Sequence, residues 1–142
     1  MSNRTWLHQC LARCSTVPVM VVGDLMLDHW VWGSVTRISP EAPIPVVDVQ
    51  RYSYTAGGAA NVVTNLRELG VPCFQVGVIG RDDSGRKLRA ILRREGADVS
   101  GLITDPGRPT TLKTRIVAHS QQMVRADFES REPLASSIQD HV

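Results

Sequence analysis

Two aspartates, a glycine pair with an asparagine, and a set of cations supply carboxylate acceptors, bare backbone amides and positive charge from which a binding site can be built. Asp24 and Asp28 follow the apolar run VPVMVV of residues 17–22. A carboxylate accepts paired hydrogen bonds from adjacent hydroxyls, which suits a polyol; the same residue also serves as an ordinary turn or capping residue. Gly57 and Gly58 open the stretch GGAANVVTNLRELG, where a helix built only for stability would carry a Ser, Thr or Asp cap. Bare backbone at that point would let a hydroxylated ligand reach main-chain amides, with Asn61 one turn in. Close packing of the helix on a sheet would ask for the same two small residues.

The cations form a second group. Lys113 and Arg115 alternate with Leu112, Thr114 and Ile116, so in an extended strand both point to one face, and Arg125 on the next strand joins them. Two or three such cations balance a phosphate dianion through charge-assisted hydrogen bonds. Asp127 and Glu129 would equally serve as their partners on a solvated surface. Arg37, expected in the loop between two exposed strands, is a further candidate.

The elements that must hold these groups follow from apolar spacing. Residues 4–14 repeat at helical period, with Cys10 and Cys14 beside Leu7 and Leu11 as core-packing positions, and VPVMVVGD reads as a buried strand ended by Gly23. HWVWGSV and IPVVDVQRY read as half-buried strands separated by SPEAPIP, whose prolines exclude helix. Val62, Val63, Leu66 and Leu69 mark a helix stopped by Gly70 and Pro72. CFQVGVIG is a second buried strand; RDDSGRKLRAILRREG is an amphipathic helix capped by Asp82, Asp83 or Ser84, with Leu88, Ile91 and Leu92 inward and Gly96 as its stop. SGLIT is a short third strand, TTLKTRIVAH and QQMVRADFE a hairpin, and SREPLASSIQDHV a weakly helical tail. Strands alternating with helices predict a parallel sheet. The other four strands predict a separate small β flap from residues 29–54 and 110–129, giving an α/β fold in two parts.

Composition narrows the function. A chain of 142 residues with 42% hydrophobic residues is one domain's worth of core. The net charge of +2, without long runs of like charge, predicts no nucleic-acid partner, and the absence of a secretory or spanning apolar stretch predicts no membrane partner and a cytoplasmic location. Three cysteines and four histidines without C-x-x-C or H-E-x-x-H spacing predict no metal site in this chain. Neither a P-loop nor G-x-G-x-x-G is present, so the glycines belong to neither nucleotide motif.

The ordered set VVGDLMLDHWVWG, RISPEAPIPVV, GGAANVVTNLRELG, VGVIGRDDSGRKL and TTLKTRIVAHSQQMVRADFE resembles the N-terminal part of a ribokinase-like (PfkB family) sugar kinase, over residues 5–130. GGAAN is the family-level signature; RISPEAPIPVV and QQMVRADFE look like the heptose 7-phosphate kinases of lipopolysaccharide core biosynthesis, the kinase part of a bifunctional kinase and adenylyltransferase. That resemblance implies that Asp28, with Asp24 in the same loop, binds sugar hydroxyls, and that Gly57, Gly58 and Asn61 contact the sugar. It implies a four-stranded lid over the sugar that pairs with a second lid in a homodimer. The implied reaction moves the γ-phosphoryl group of ATP, with Mg2+, to the anomeric hydroxyl of D-glycero-D-manno-heptose 7-phosphate. The family's catalytic aspartate lies in a G-A-G-D motif that this sequence does not contain, so that base and the C-terminal half of the fold are expected beyond Val142. Residues 1–130 are then the N-terminal part of a kinase domain and 131–142 its tail or truncated continuation, inactive alone. Two other outcomes remain open: a non-catalytic sugar-phosphate binding or dimerisation module, or a family kinase for another sugar or a nucleoside.

Overall fold

Two sheets divide the chain, and one long strand passes from the core of the first layer into the second. The computed structural model describes residues 3–141. The elements run α1 (Asn3–Cys14), β1 (Val19–Val22), β2 (Leu25–Ile38), β3 (Pro45–Gly58), α2 (Ala59–Glu68), β4 (Cys73–Gly80), α3 (Asp83–Arg94), β5 (Leu102–Asp105), β6 (Thr111–Ala118), β7 (Gln121–Phe128) and α4 (Ser136–Gln139). β1, β4 and β5 form a parallel sheet in the order β1-β4-β5, and the other four strands form a mixed sheet in the order β3-β2-β6-β7.

Local chemistry accounts for the helices. Asp82 caps α3 by accepting from the Gly85 amide at 2.8 Å, and Gly96 stops that helix with φ +81°. Leu88 and Leu92 are fully buried, and with Ala60 and Val63 of α2 they pack against Leu25 and Leu27 at the inner end of β2. This cluster ties the two sheets together. β2 and β3 are each 14 residues long, so the flap begins at Leu25 rather than at residue 29. β2 runs parallel to β6, a pairing that leaves no local mark in either strand.

Two apolar surfaces depart from expectation. On β1 only Val19 and Val21 turn toward the core, while Met20 and Val22 are 63% and 55% exposed. On α1, Trp6, Leu7 and Leu11 face solvent, and of its two cysteines Cys14 alone packs against the core. A parallel sheet is ordinarily covered on both faces, and nothing among the described residues covers this side.

Candidate functional site

In open α/β sheets ligands gather beyond the carboxyl ends of the strands, and here a cleft of about 570 Å³ opens at that edge. Its floor is Val22 at the end of β1, Gly23 and Asp24 just after it, and Gly77 and Val78 of β4; its walls include Arg108, Thr111 and the segment from Glu129 to Leu134. Arg108 fixes that last wall by donating to the Glu132 carbonyl at 2.8 Å.

The face of the mixed sheet that adjoins the cleft carries the charged residues. Alternation along β2 puts Met26, Asp28, Trp30 and Trp32 on one side; register with β6 places Lys113 beside Asp28 and Arg115 beside Trp30. Asp28 therefore lies within β2, not in a loop after β1. Its carboxylate forms an ion pair with Arg115, both side chains being about one-sixth exposed, and the Arg115 guanidinium sits 4.9 Å from the Trp30 ring centroid. Lys113 donates to Asp127 at 3.0 Å and to Glu129 at 3.2 Å. Arg125 makes a fork of two bonds to the same Asp127. Glu129 also lines the cleft, so the charged face and the hollow are continuous. The Asp127 contact, opposed by burial and helped by Glu129, raises the Lys113 ammonium above the ordinary lysine value, and Asp127 and Glu129 are held below the ordinary carboxylate range chiefly by Lys113.

The glycine pair has a backbone reason as well. Gly58 ends β3 at φ +60°, where a side chain is strained, and a Cβ there would meet the Asp24 carbonyl at 2.5 Å. A Cβ on Gly57 would lie 2.7 Å from the Asp28 carboxylate, so the bare glycine is what lets that carboxylate occupy the corner. The corner is less open than expected, because the first helical amide, Ala59, already donates to the Asp24 carbonyl at 2.9 Å.

The structure thus brings together Asp28, Gly57, Lys113, Arg115 and Arg125 on one surface, with Asp24 in the adjoining cleft. Asn61 is exposed in the first turn of α2, and neither it nor Gly58 lines the cleft. Arg37 lies within β2 rather than in a loop, exposed near the far end of the strand. Nine residue steps along the strand separate it from Asp28, roughly 30 Å, and it does not join the cluster. Sequence reasoning missed Trp30 and Trp32, whose stacked rings, 5.9 Å apart, flank the cations; their spacing of two in an expected strand was the available signal.

It also missed a junction below the cleft. Thr110, 2% exposed, accepts from the Gly80 amide through its hydroxyl at 2.7 Å and donates its own amide to Asp82 at 2.8 Å. Gly80 and Gly85 of VGVIGRDDSG follow from this contact, since a Cβ on either would strike backbone or Thr110 within 2.8 Å. Burial pushes the Asp82 carboxyl up, but the amides of Gly85 and Thr110 and the nearby Arg86 charge outweigh it and leave the group below its ordinary value. A carboxyl depressed in the folded state binds fewer protons than in the unfolded chain. Its stabilisation is complete above the ordinary carboxylate pKa of about 4 and is lost as pH falls through the lower folded value. Denaturant midpoints of wild type and Asp82→Asn are therefore expected to differ at neutral pH and to converge in acid; a gap that stays constant with pH would contradict this account.

Residues 18–136 match the family described as pfkB family carbohydrate kinase. The bifunctional protein HldE of Wolinella succinogenes is 48% identical over 122 residues, covering 86% of this chain and 26% of that protein. The bifunctional protein HldE of Trichlorobacter lovleyi is 46% identical over 140 residues, covering 99% of this chain and 28% of that protein. The chain thus spans little more than a quarter of the length of these relatives. Among solved structures, a carbohydrate kinase from Agrobacterium tumefaciens superposes with a TM-score of 0.64 at 21% identity, over 78% of this chain and 35% of that one. Fructokinase with bound ATP from Xylella fastidiosa superposes with a TM-score of 0.60 at 20% identity, over 79% of this chain and 33% of that one. At these identities the likeness is one of fold.

Proposed function

Because this chain belongs to the pfkB family of carbohydrate kinases, we propose that it is the acceptor-binding half of a kinase for a phosphorylated sugar, namely D-glycero-D-manno-heptose 7-phosphate. The observation that carries this reading is the placement of one shielded carboxylate, Asp28, against a bare glycine, with Lys113 and Arg115 beside it on a face continuous with the cleft. A polyol asks for a carboxylate that can accept two hydroxyls, and its phosphate asks for adjacent cations. The identity of 43–48% to proteins named bifunctional HldE supports the narrower choice of acceptor, as do the heptose-kinase-like stretches RISPEAPIPVV and QQMVRADFE.

In this proposal the γ-phosphoryl group of ATP is transferred to the anomeric hydroxyl. Phosphoryl transfer needs an in-line base, donors for the moving group and Mg2+. Among the described residues no three His, Cys, Asp or Glu side chains converge to hold a metal ion, and the proposal assigns neither Mg2+ nor the nucleotide to a residue of this chain. What these residues do is bind and orient the acceptor. The lid's outer strands, β3 and β7, each have one edge unpaired among the described residues, and lid pairing into a homodimer belongs to the same proposal. No helix among the described residues is long and apolar enough to cross a membrane.

The test is an ATP-dependent phosphorylation assay with heptose 7-phosphate, run on this chain and on a polypeptide that continues into the C-terminal half of the kinase fold. Turnover in the longer protein, lost on Asp28→Asn, is expected. Turnover there with a nucleoside or plain hexose but not with heptose 7-phosphate would refute the acceptor assignment.

A further inference from the structure

The ion pairs on the charged face are not equivalent. Lys113 is shared by two carboxylates and Arg125 holds Asp127 by a fork. Asp28, in contrast, has a single cationic partner among the described residues, Arg115, bonded through one of its two oxygens, Oδ1. The other oxygen faces the space that a side chain on Gly57 would fill. While Arg115 is in place, Asp28 has its charge balanced and only one oxygen free, whereas two neighbouring hydroxyls need both. Arg115 also has a second support, the face of Trp30, and that ring is itself held by its Nε1–H donating to the Thr55 hydroxyl at 3.3 Å. A guanidinium stacked on an indole stays at the site when its carboxylate contact is released.

We propose that the Asp28–Arg115 pair is a latch that makes recognition of the sugar hydroxyls conditional on a phosphate. A phosphate dianion offers Arg115 two parallel charge-assisted bonds in place of one bond to Asp28. Arg115 turns to it across Trp30, and both oxygens of Asp28 become available to the hydroxyls. A sugar without phosphate must displace Arg115 with neutral hydroxyls alone, and so binds weakly. This inference rests on the proposed acceptor site and adds to it the reason an unphosphorylated sugar is rejected.

Calorimetric titration of the full chain with heptose 7-phosphate and with plain heptose tests it. Wild type should prefer the phosphorylated sugar by about 100-fold, the worth of roughly two charge-assisted hydrogen bonds. Arg115→Gln should lose affinity for heptose 7-phosphate yet bind plain heptose about tenfold more tightly than wild type, because Asp28 is no longer covered. Lys113→Gln, which leaves the latch closed, should weaken the phosphorylated sugar without helping the plain one. Plain heptose affinity unchanged or reduced in Arg115→Gln would overturn the latch while leaving the acceptor site standing. Should Arg115→Gln fail to fold, Arg115→Met reads the same quantity: it keeps an unbranched stem against Trp30 and removes the charge that covers Asp28, so affinity for plain heptose should still rise, and no rise overturns the latch. If wild type binds neither sugar, the acceptor site and the latch fall together.

Discussion

Gly80→Ala is expected to destabilise the fold by about 3 kcal/mol or more and to lower Tm by roughly 10 °C. Gly80 ends β4 where the chain entering β6 crosses it. A Cβ there would lie 2.5 Å from the Arg108 carbonyl, 2.6 Å from the Thr110 amide and 2.8 Å from the Asp82 carboxylate. The first two are backbone atoms, which cannot step aside as the end of a flexible side chain can. Relief would push residues 108–110 outward and stretch both bonds of the buried Thr110, from the Gly80 amide and to Asp82. Displacement there also moves the start of β6, the strand that carries Lys113 and Arg115. Gly107→Ala is the control, because its Cβ would meet only the Asp105 side chain, at 3.2 Å. Urea unfolding of both variants decides the matter: a Gly80→Ala midpoint as close to wild type as that of Gly107→Ala would show that the junction is soft.

The parts of this molecule that sequence made legible are those whose causes are local. Leu88, Ile91 and Leu92 repeat at helical spacing, and the structure buries them as read, with Asp82, one of three candidate caps, at the helix start. The parallel sheet followed from strands alternating with helices. What stayed hidden depends on distant partners. LMLD continues the apolar run of VPVMVV across Gly23 and Asp24, so the start of β2 at Leu25 was masked. Alternation showed that Lys113 and Arg115 share a face, but the parallel register that sets Asp28 beside them is a property of two strands 85 positions apart. Asp127 and Glu129 were visible as possible counter-charges; their choice of Lys113 over solvent was not.

The exposed faces of α1 and β1 teach the opposite lesson. Trp6, Leu7, Leu11, Met20 and Val22 are apolar enough to be read as core, and in this chain they meet solvent. Apolar pattern reports that a surface is built to be covered; it does not say by what. The kinases of similar fold extend well past the region matched here, with only 33% and 35% of their lengths superposed.

Asp28→Asn is expected to weaken binding of heptose 7-phosphate by about 100-fold while leaving the chain folded. The amide has nearly the volume of the carboxylate, so Gly57 still accommodates it, but it offers one acceptor oxygen and an NH2 group in place of two acceptors. One of two sugar hydroxyls is left without an acceptor for its proton, and the other loses a charged one. Arg115 keeps its seat on Trp30, which limits the cost to the fold. A second ligand separates lost recognition from lost structure. Inorganic phosphate asks only for the cations, and with Asp28 neutral Arg115 no longer has a competing carboxylate, so phosphate should bind Asp28→Asn at least as tightly as wild type. Asp24→Asn should have a smaller effect on both ligands, because the corner is held by the Asp24 backbone carbonyl rather than its side chain. Equal affinity of wild type and Asp28→Asn for heptose 7-phosphate would remove Asp28 from the sugar and leave Asp24, inside the cleft, as the carboxylate to test.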